Sequence, residues 1–204
     1  MPPIDQNRIR PEVRDFPPYV PGTSIEEIRQ TYGLHTVVKM ASNENPLGVS
    51  PRVQETVHHR TGLVFRYPRP NSPHLTSALS SHFGLDQDRF VVGNGSDEII
   101  DLLIRVTARP GQDTILILDP SFSIYRLQAR LCGVELTTLP LNPDFSFPLQ
   151  GIVQAADEST AMVFITSPDN PSGYTASRDD LTWLAANLPA DTLLVIDEAY
   201  IEFA

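Results

Sequence analysis

After Phe83 the chain alternates short apolar runs with helical periods of about a dozen residues, and this alternation decides most of what it can fold into. The runs are Thr114 to Leu118, Val134 to Leu139, Ala161 to Thr166 and Thr192 to Ile196. Helical periods fall at Asp97 to Ala108, Ile124 to Leu131, Leu149 to Ala156 and Ser177 to Asn187. Runs such as Ile115-Leu116-Ile117-Leu118 and Leu193-Leu194-Val195-Ile196 have no polar face, so a strand made from them must be covered on both sides. Strands joined by helices pair in parallel. The expected class is therefore α/β, a three-layer αβα arrangement around a mostly parallel sheet.

The first 75 residues read differently. Many of the chain's 19 prolines cluster there, which favours extended segments and loops. Residues 1–45 are expected to form an N-terminal arm with part of a small domain. They contain one short helix, Ile25 to Tyr32, introduced by the capping sequence Ser24-Ile25-Glu26-Glu27. Residues 46–204 are expected to form the large domain. It opens with a helix from Ser50 to His59, a loop through Arg66-Tyr67-Pro68-Arg69-Pro70 and a helix from Pro73 to Phe83.

Charge and composition remove several function classes. A formal net charge of -10 argues against nucleic acid as a partner, because phosphate binding needs a basic stripe. The single Cys132 permits no disulfide within the chain and reads as a buried thiol. His58 and His59 are adjacent and so diverge on any regular element, and no His or Cys spacing suits a metal. The amino-terminal sequence MPPIDQNRIRPEVRDF lacks the apolar core of a signal peptide, and no 18-residue apolar run occurs. A cytoplasmic protein without membrane contact is the expectation.

In open α/β sheets, ligands bind outside the carboxyl ends of the strands. The residues there are polar: Asp119-Pro120-Ser121-Phe122, then Ser167-Pro168-Asp169-Asn170-Pro171-Ser172-Gly173, then Asp197-Glu198-Ala199-Tyr200. Before them, Gly93-Asn94-Gly95-Ser96-Asp97-Glu98 opens a helix whose first N–H groups can cradle an anion, although Ser or Asp at such a position also serves as a plain cap. Asp197, at the mouth of the sheet, either pairs with a cation or is simply solvated. Phe122 either lies flat on a ligand ring or packs in the core. Asn170 and Tyr200 offer hydrogen bonds to the same region.

With these segments, and with Pro18-Tyr19-Val20-Pro21-Gly22, Ala41-Ser42-Asn43-Glu44-Asn45-Pro46-Leu47-Gly48 and Arg66-Tyr67-Pro68, the sequence resembles the histidinol-phosphate aminotransferases among the fold-type I pyridoxal-phosphate enzymes. The resemblance runs from about residue 9 to the end and implies pyridoxal 5'-phosphate as cofactor. Carried over by position, Ser96 and Asp97 would hold the cofactor phosphate through backbone N–H groups, and Phe122 would stack on the ring. Asn170 and Tyr200 would bind its phenolic oxygen, and Asp197 its nitrogen. Tyr67 would reach the cofactor of a neighbouring subunit in a homodimer with shared sites, while Tyr19 and Asn45 would line the substrate pocket.

The implied reaction transfers the amino group between histidinol phosphate and 2-oxoglutarate in histidine biosynthesis. In that family the Schiff-base lysine and the anion-binding arginines lie downstream of the Asp-Glu-Ala-Tyr segment. The only lysine here is Lys39, in Thr36-Val37-Val38-Lys39-Met40, where the resemblance implies a short strand. A chain incomplete at its C-terminus, with the cofactor pocket encoded but not the chemical step, is the expectation, along with poor stability at the exposed sheet edge. The alternatives are a truncated, non-catalytic relative, or a member of the same family acting on aromatic amino acids or threonine phosphate.

Overall fold

Four strands, β1 (Thr114–Asp119), β2 (Glu135–Pro140), β3 (Thr160–Thr166) and β4 (Leu193–Asp197), form one sheet in the order β2-β1-β3-β4, and every pairing is parallel. The computed structural model describes residues 8–14, 16, 22–40 and 42–204. Its helices are α1 (Pro11–Arg14), α2 (Ile25–Tyr32), α3 (Pro51–Arg60), α4 (Pro73–Phe83), α5 (Ser96–Thr107), α6 (Ser123–Cys132), α7 (Leu149–Ala155) and α8 (Arg178–Asn187).

The period-two alternation of side chains sorts each strand between two cores. Ile115 and Ile117 of β1 and Met162 and Phe164 of β3 pack with Ile100 and Ile104 of α5 and with Ile124, Tyr125 and Ala129 of α6. Their sequence neighbours Leu116, Leu118, Val163 and Ile165 pack on the other face with Ile152 of α7 and Leu184 of α8. The three αβα layers expected from doubly apolar strands are thus present. The chain leaves β1 through α6 to reach β2 on one side, then crosses through α7 to β3 on the other. The order therefore reverses between β1 and β3, which makes their carboxyl ends the topological switch point where α/β folds bind ligands.

Local sequence explains the helix ends. Ser24 accepts the Glu27 N–H at 3.1 Å to start α2, and Gly33, at a φ of 63°, ends it. Ser177 and Asp180 cap α8 reciprocally, with the Asp180 N–H donated to Ser177 Oγ at 3.0 Å. The short strand expected around Lys39 does not form. Residues 36–40 find no ladder partner among the described residues and remain irregular.

Contacts divide the chain into two units, Met1–Asp15 with Val91–Ala204, and Phe16–Phe90. The first contains the sheet and both cores. In the second, Thr76 is the one buried residue among those described, while Met40, Leu47, Phe65 and Tyr67 are each more than three-quarters exposed.

Entry into β1 is fixed by an ion pair. Asp113, its side chain only 6% exposed, accepts the Arg109 backbone N–H at 2.7 Å and the guanidinium Nη2 at 2.7 Å. Hydrogen bonding from the Arg109 guanidinium, then from its backbone N–H, holds the Asp113 carboxyl below the usual carboxylate range. A lowered folded-state pKa adds stability above the ordinary carboxylate value and loses it as pH falls through the lowered one. Melting temperatures followed from neutral pH into the acid range are expected to fall less steeply for Asp113→Asn than for the parent chain. Parallel curves would contradict this assignment.

Candidate active site at the carboxyl ends of the strands

The parallel register carries β3 and β4 to the same level, so Thr166 lies beside Asp197 as their last paired residues. Beyond them the chain turns. Ser167 N–H donates to the Asp197 carbonyl at 2.9 Å, and Ser167 Oγ accepts the Ala176 N–H at 3.0 Å, which ties both ends of the following loop to the sheet. Within that loop, buried Asp169 accepts Ser172 Oγ at 2.5 Å and the Ser172 N–H at 3.2 Å. Gly173, at a φ of 76°, closes the turn by donating its N–H to the Asp169 carbonyl at 2.9 Å. The rigid turn holds Asn170 at the strand end.

A second wall comes from the start of α5. Gly95 occupies the cap position at a φ of 82° and has no side chain to cap with, so the first-turn N–H groups have no cap side chain in front of them. Glu98 instead folds back to accept the Asn94 N–H. A Cβ at Gly93 would meet Ile99 Cδ1 at 2.7 Å, so any larger residue there would have to displace the end of the Ile99 side chain. An uncapped helix start presenting several N–H groups attracts an anion through hydrogen bonds and the helix dipole.

Five of the residues singled out in the sequence, Ser96, Phe122, Asn170, Asp197 and Tyr200, line one small cleft together with Thr166 and Ala199. Asp97 follows Ser96 in the first turn of α5, with an exposed side chain that does not line the cleft. Tyr67 and Asn45 belong to the second unit, where Asn45 Oδ1 accepts the Leu47 N–H at 2.9 Å. Tyr19 lies outside the described residues. Lys39 is paired with Glu44 at 2.6 Å in the second unit, an ordinary structural use of its charge.

Sequence reasoning missed Tyr125 and Thr166 in this neighbourhood. Tyr125 of α6, 1% exposed, donates its phenolic O–H to Asp197 Oδ2 at 2.7 Å and lies 2.7 Å from Thr166 Oγ1. Its ring stacks on Phe164 at 4.6 Å and meets Phe122 edge-on at 5.6 Å. Burial pushes the Tyr125 phenol far above its usual pKa, Thr166 opposes this, and the Asp197 carboxylate adds to it. The available signal was the spacing of Phe122 and Tyr125, three apart at the start of a helix and hence neighbours. Asp197 Oδ1 accepts the Ala199 N–H at 3.1 Å. A carboxylate has about four acceptor positions, so after Tyr125 and Ala199 it retains capacity for a cationic donor in the cleft.

The fold is that of one broad enzyme group. The chain belongs to the aminotransferase class I and II family, whose model matches residues 35–204. Within that group its relatives are narrower in kind. It is 55% identical over 196 residues to the histidinol-phosphate aminotransferase of Oleidesulfovibrio alaskensis, covering 96% of this chain and 51% of that protein. With the enzyme of the same name from Bacillus subtilis it shares 38% identity, covering 96% of this chain and 54% of the relative. The structure superimposes with a TM-score of 0.85 on the histidinol-phosphate aminotransferase of Sinorhizobium meliloti in complex with pyridoxal-5'-phosphate, at 26% identity, covering 97% of this chain and 52% of that one. The chain thus spans about half the length of the curated relatives it matches. No helix among the described residues is long and apolar enough to cross a membrane.

Proposed function

We propose that this chain supplies the pyridoxal-phosphate pocket of an aminotransferase that moves the amino group between histidinol phosphate and 2-oxoglutarate. The observation that carries the reading is the convergence of Ser96, Phe122, Asn170, Asp197 and Tyr200 on one cleft at the topological switch point. Each part of the cofactor has a chemically matched partner there. The uncapped start of α5 suits its phosphate, Phe122 its ring face, Asn170 and Tyr200 its phenolic oxygen, and the Asp197 carboxylate its ring nitrogen.

When bound, the cofactor acts as an electron sink for the substrate's α-carbon. The chain's own residues hold and tune it. Asp197 keeps a proton on the ring nitrogen by placing a negative charge against it, which favours the charged form. Backbone N–H groups of Ser96 and Asp97 anchor the phosphate, while the side chains of Asn170 and Tyr200 fix the opposite ring edge and so set the ring's rotation within the cleft. Phe122 covers one face and excludes water from it.

The proposal extends to a homodimer with shared sites, in which Tyr67 reaches a neighbouring subunit's cofactor phosphate. The wholly exposed Tyr67 and the exposed apolar side chains of the second unit suit such a partner. Tyr19 and Asn45 are assigned to the substrate pocket. The proposed setting is the cytoplasm, where a charged phosphorylated amine would stay with the enzyme because it does not partition into a bilayer unaided.

The test is turnover by the full-length protein supplied with pyridoxal phosphate and 2-oxoglutarate. Glutamate should form at least about tenfold more efficiently from histidinol phosphate than from an aromatic amino acid or threonine phosphate, a gap of about 1.4 kcal/mol in transition-state binding. Preference for either competitor would reassign the substrate, and absence of glutamate with all three would reject the reaction.

A further inference from the structure

We propose that Tyr125, a residue with no role in the assignments above, is the positioning residue of the cleft: it aims the Asp197 carboxylate at the bound ring nitrogen and sets the tilt of Phe122. The inference rests on the pyridoxal-phosphate reading of the cleft and extends it from the residues that touch the cofactor to the one behind them.

The direction of the hydrogen bonds follows from proton counting. Tyr125 carries one phenolic proton and stands 2.7 Å from both Asp197 Oδ2 and Thr166 Oγ1. An ionised carboxylate only accepts, so the phenolic proton goes to Asp197 and the Thr166 hydroxyl must donate to the phenol oxygen. The chain of donors runs Thr166 to Tyr125 to Asp197. Thr166 is itself 4% exposed, and it lies beside Asp197 because β3 and β4 are in register there. Linked hydrogen bonds of this kind polarise one another in a dry interior.

The aromatic contacts leave the phenol little freedom. Phe164 lies beneath it at 4.6 Å with the rings 17° apart, and Phe122 abuts it at 86°. Because Tyr125 is fixed from below and from the side, moving it would disturb two groups assigned to the cofactor at once. Asp197 Oδ1, by contrast, accepts the Ala199 N–H, a bond that comes from its own loop. The phenol is therefore the side chain that ties Asp197 to α6 and, through Thr166, to β3.

Fluorescence titration of the purified chain with pyridoxamine 5'-phosphate, a cofactor form that needs no lysine, tests the idea. Its 1-deaza analogue, with C–H in place of the ring nitrogen, is titrated in parallel. Tyr125→Phe is expected to weaken pyridoxamine phosphate about tenfold, the range for loss of a hydrogen bond to a charged group, and to leave the analogue within about twofold. In an Asp197→Ala background the same substitution should change neither ligand. Thr166→Val keeps the phenol but removes the donor behind it, and should show the same selectivity at about threefold, so the test survives if Tyr125→Phe fails to fold. Equal weakening of both ligands would show a merely structural role, and no change in either would show no role; both results overturn the proposal. If the parent chain binds neither ligand, the cofactor reading itself fails, an outcome distinct from the other two.

Discussion

Asp197→Asn in the full-length protein is expected to slow amino-group transfer by about 10³-fold, the upper end of what removal of one preorganised electrostatic group costs a reaction. The reason is charge and not shape. Asparagine preserves the side-chain volume, and its amide oxygen can still accept the Tyr125 O–H that reaches Asp197 Oδ2 at 2.7 Å. What it loses is the negative charge proposed to hold the ring nitrogen's proton, without which a bound pyridoxal phosphate would supply a weaker electron sink. Single-turnover rates with saturating amino donor measure the effect without interference from product release. Binding should fall much less than rate, because the phosphate, ring-face and phenolic-oxygen contacts assigned to Ser96, Phe122, Asn170 and Tyr200 are untouched. A rate within about tenfold of the parent enzyme would remove Asp197 from the role proposed for it.

How legible this was in the sequence depended on whether a property is local. The strands could be read because a run such as Ile115 to Leu118 must hide both faces, and the alternation of those faces also implies the two cores found around Phe164 and Ile165. Asn170, Asp197 and Tyr200 could be singled out because they are polar groups following apolar strands, whereas their cofactor roles, like those of Ser96 and Phe122, came from the family resemblance. Tyr125 had no such contrast. An aromatic residue within a helix reads as packing, and it does pack, against Phe164. Its second use appears only when the register of β3 and β4 brings Thr166 and Asp197 together beneath the start of α6. The strand expected around Lys39 failed for the complementary reason, since strands need a partner and no local pattern supplies one. Glu98 read as one residue of a helix-opening motif, whereas its carboxylate bends back to Asn94 and shapes the loop in front of the helix.

The same stacked pair makes Phe164 the most consequential core position. Phe164 is 1% exposed, lies on the α5–α6 face of the sheet and carries the Tyr125 ring directly. Truncation to alanine leaves a void that a sheet covered on both faces cannot close, so Phe164→Ala should destabilise the chain by about 3–5 kcal/mol. Denaturant unfolding would register this as a lower midpoint at an unchanged slope. Val106 of α5, 81% exposed, is the matched control, and its replacement by alanine should stay within about 0.5 kcal/mol. Pyridoxamine phosphate binding adds a second readout that ordinary core truncations do not share. At temperatures where both variants remain folded, Phe164→Ala should weaken the ligand by releasing Tyr125, whereas Leu184→Ala, on the opposite face, should lower stability and leave affinity near that of the parent. Equal affinities for the two core variants would separate fold stability from the cleft and leave the aromatic stack with a packing role alone.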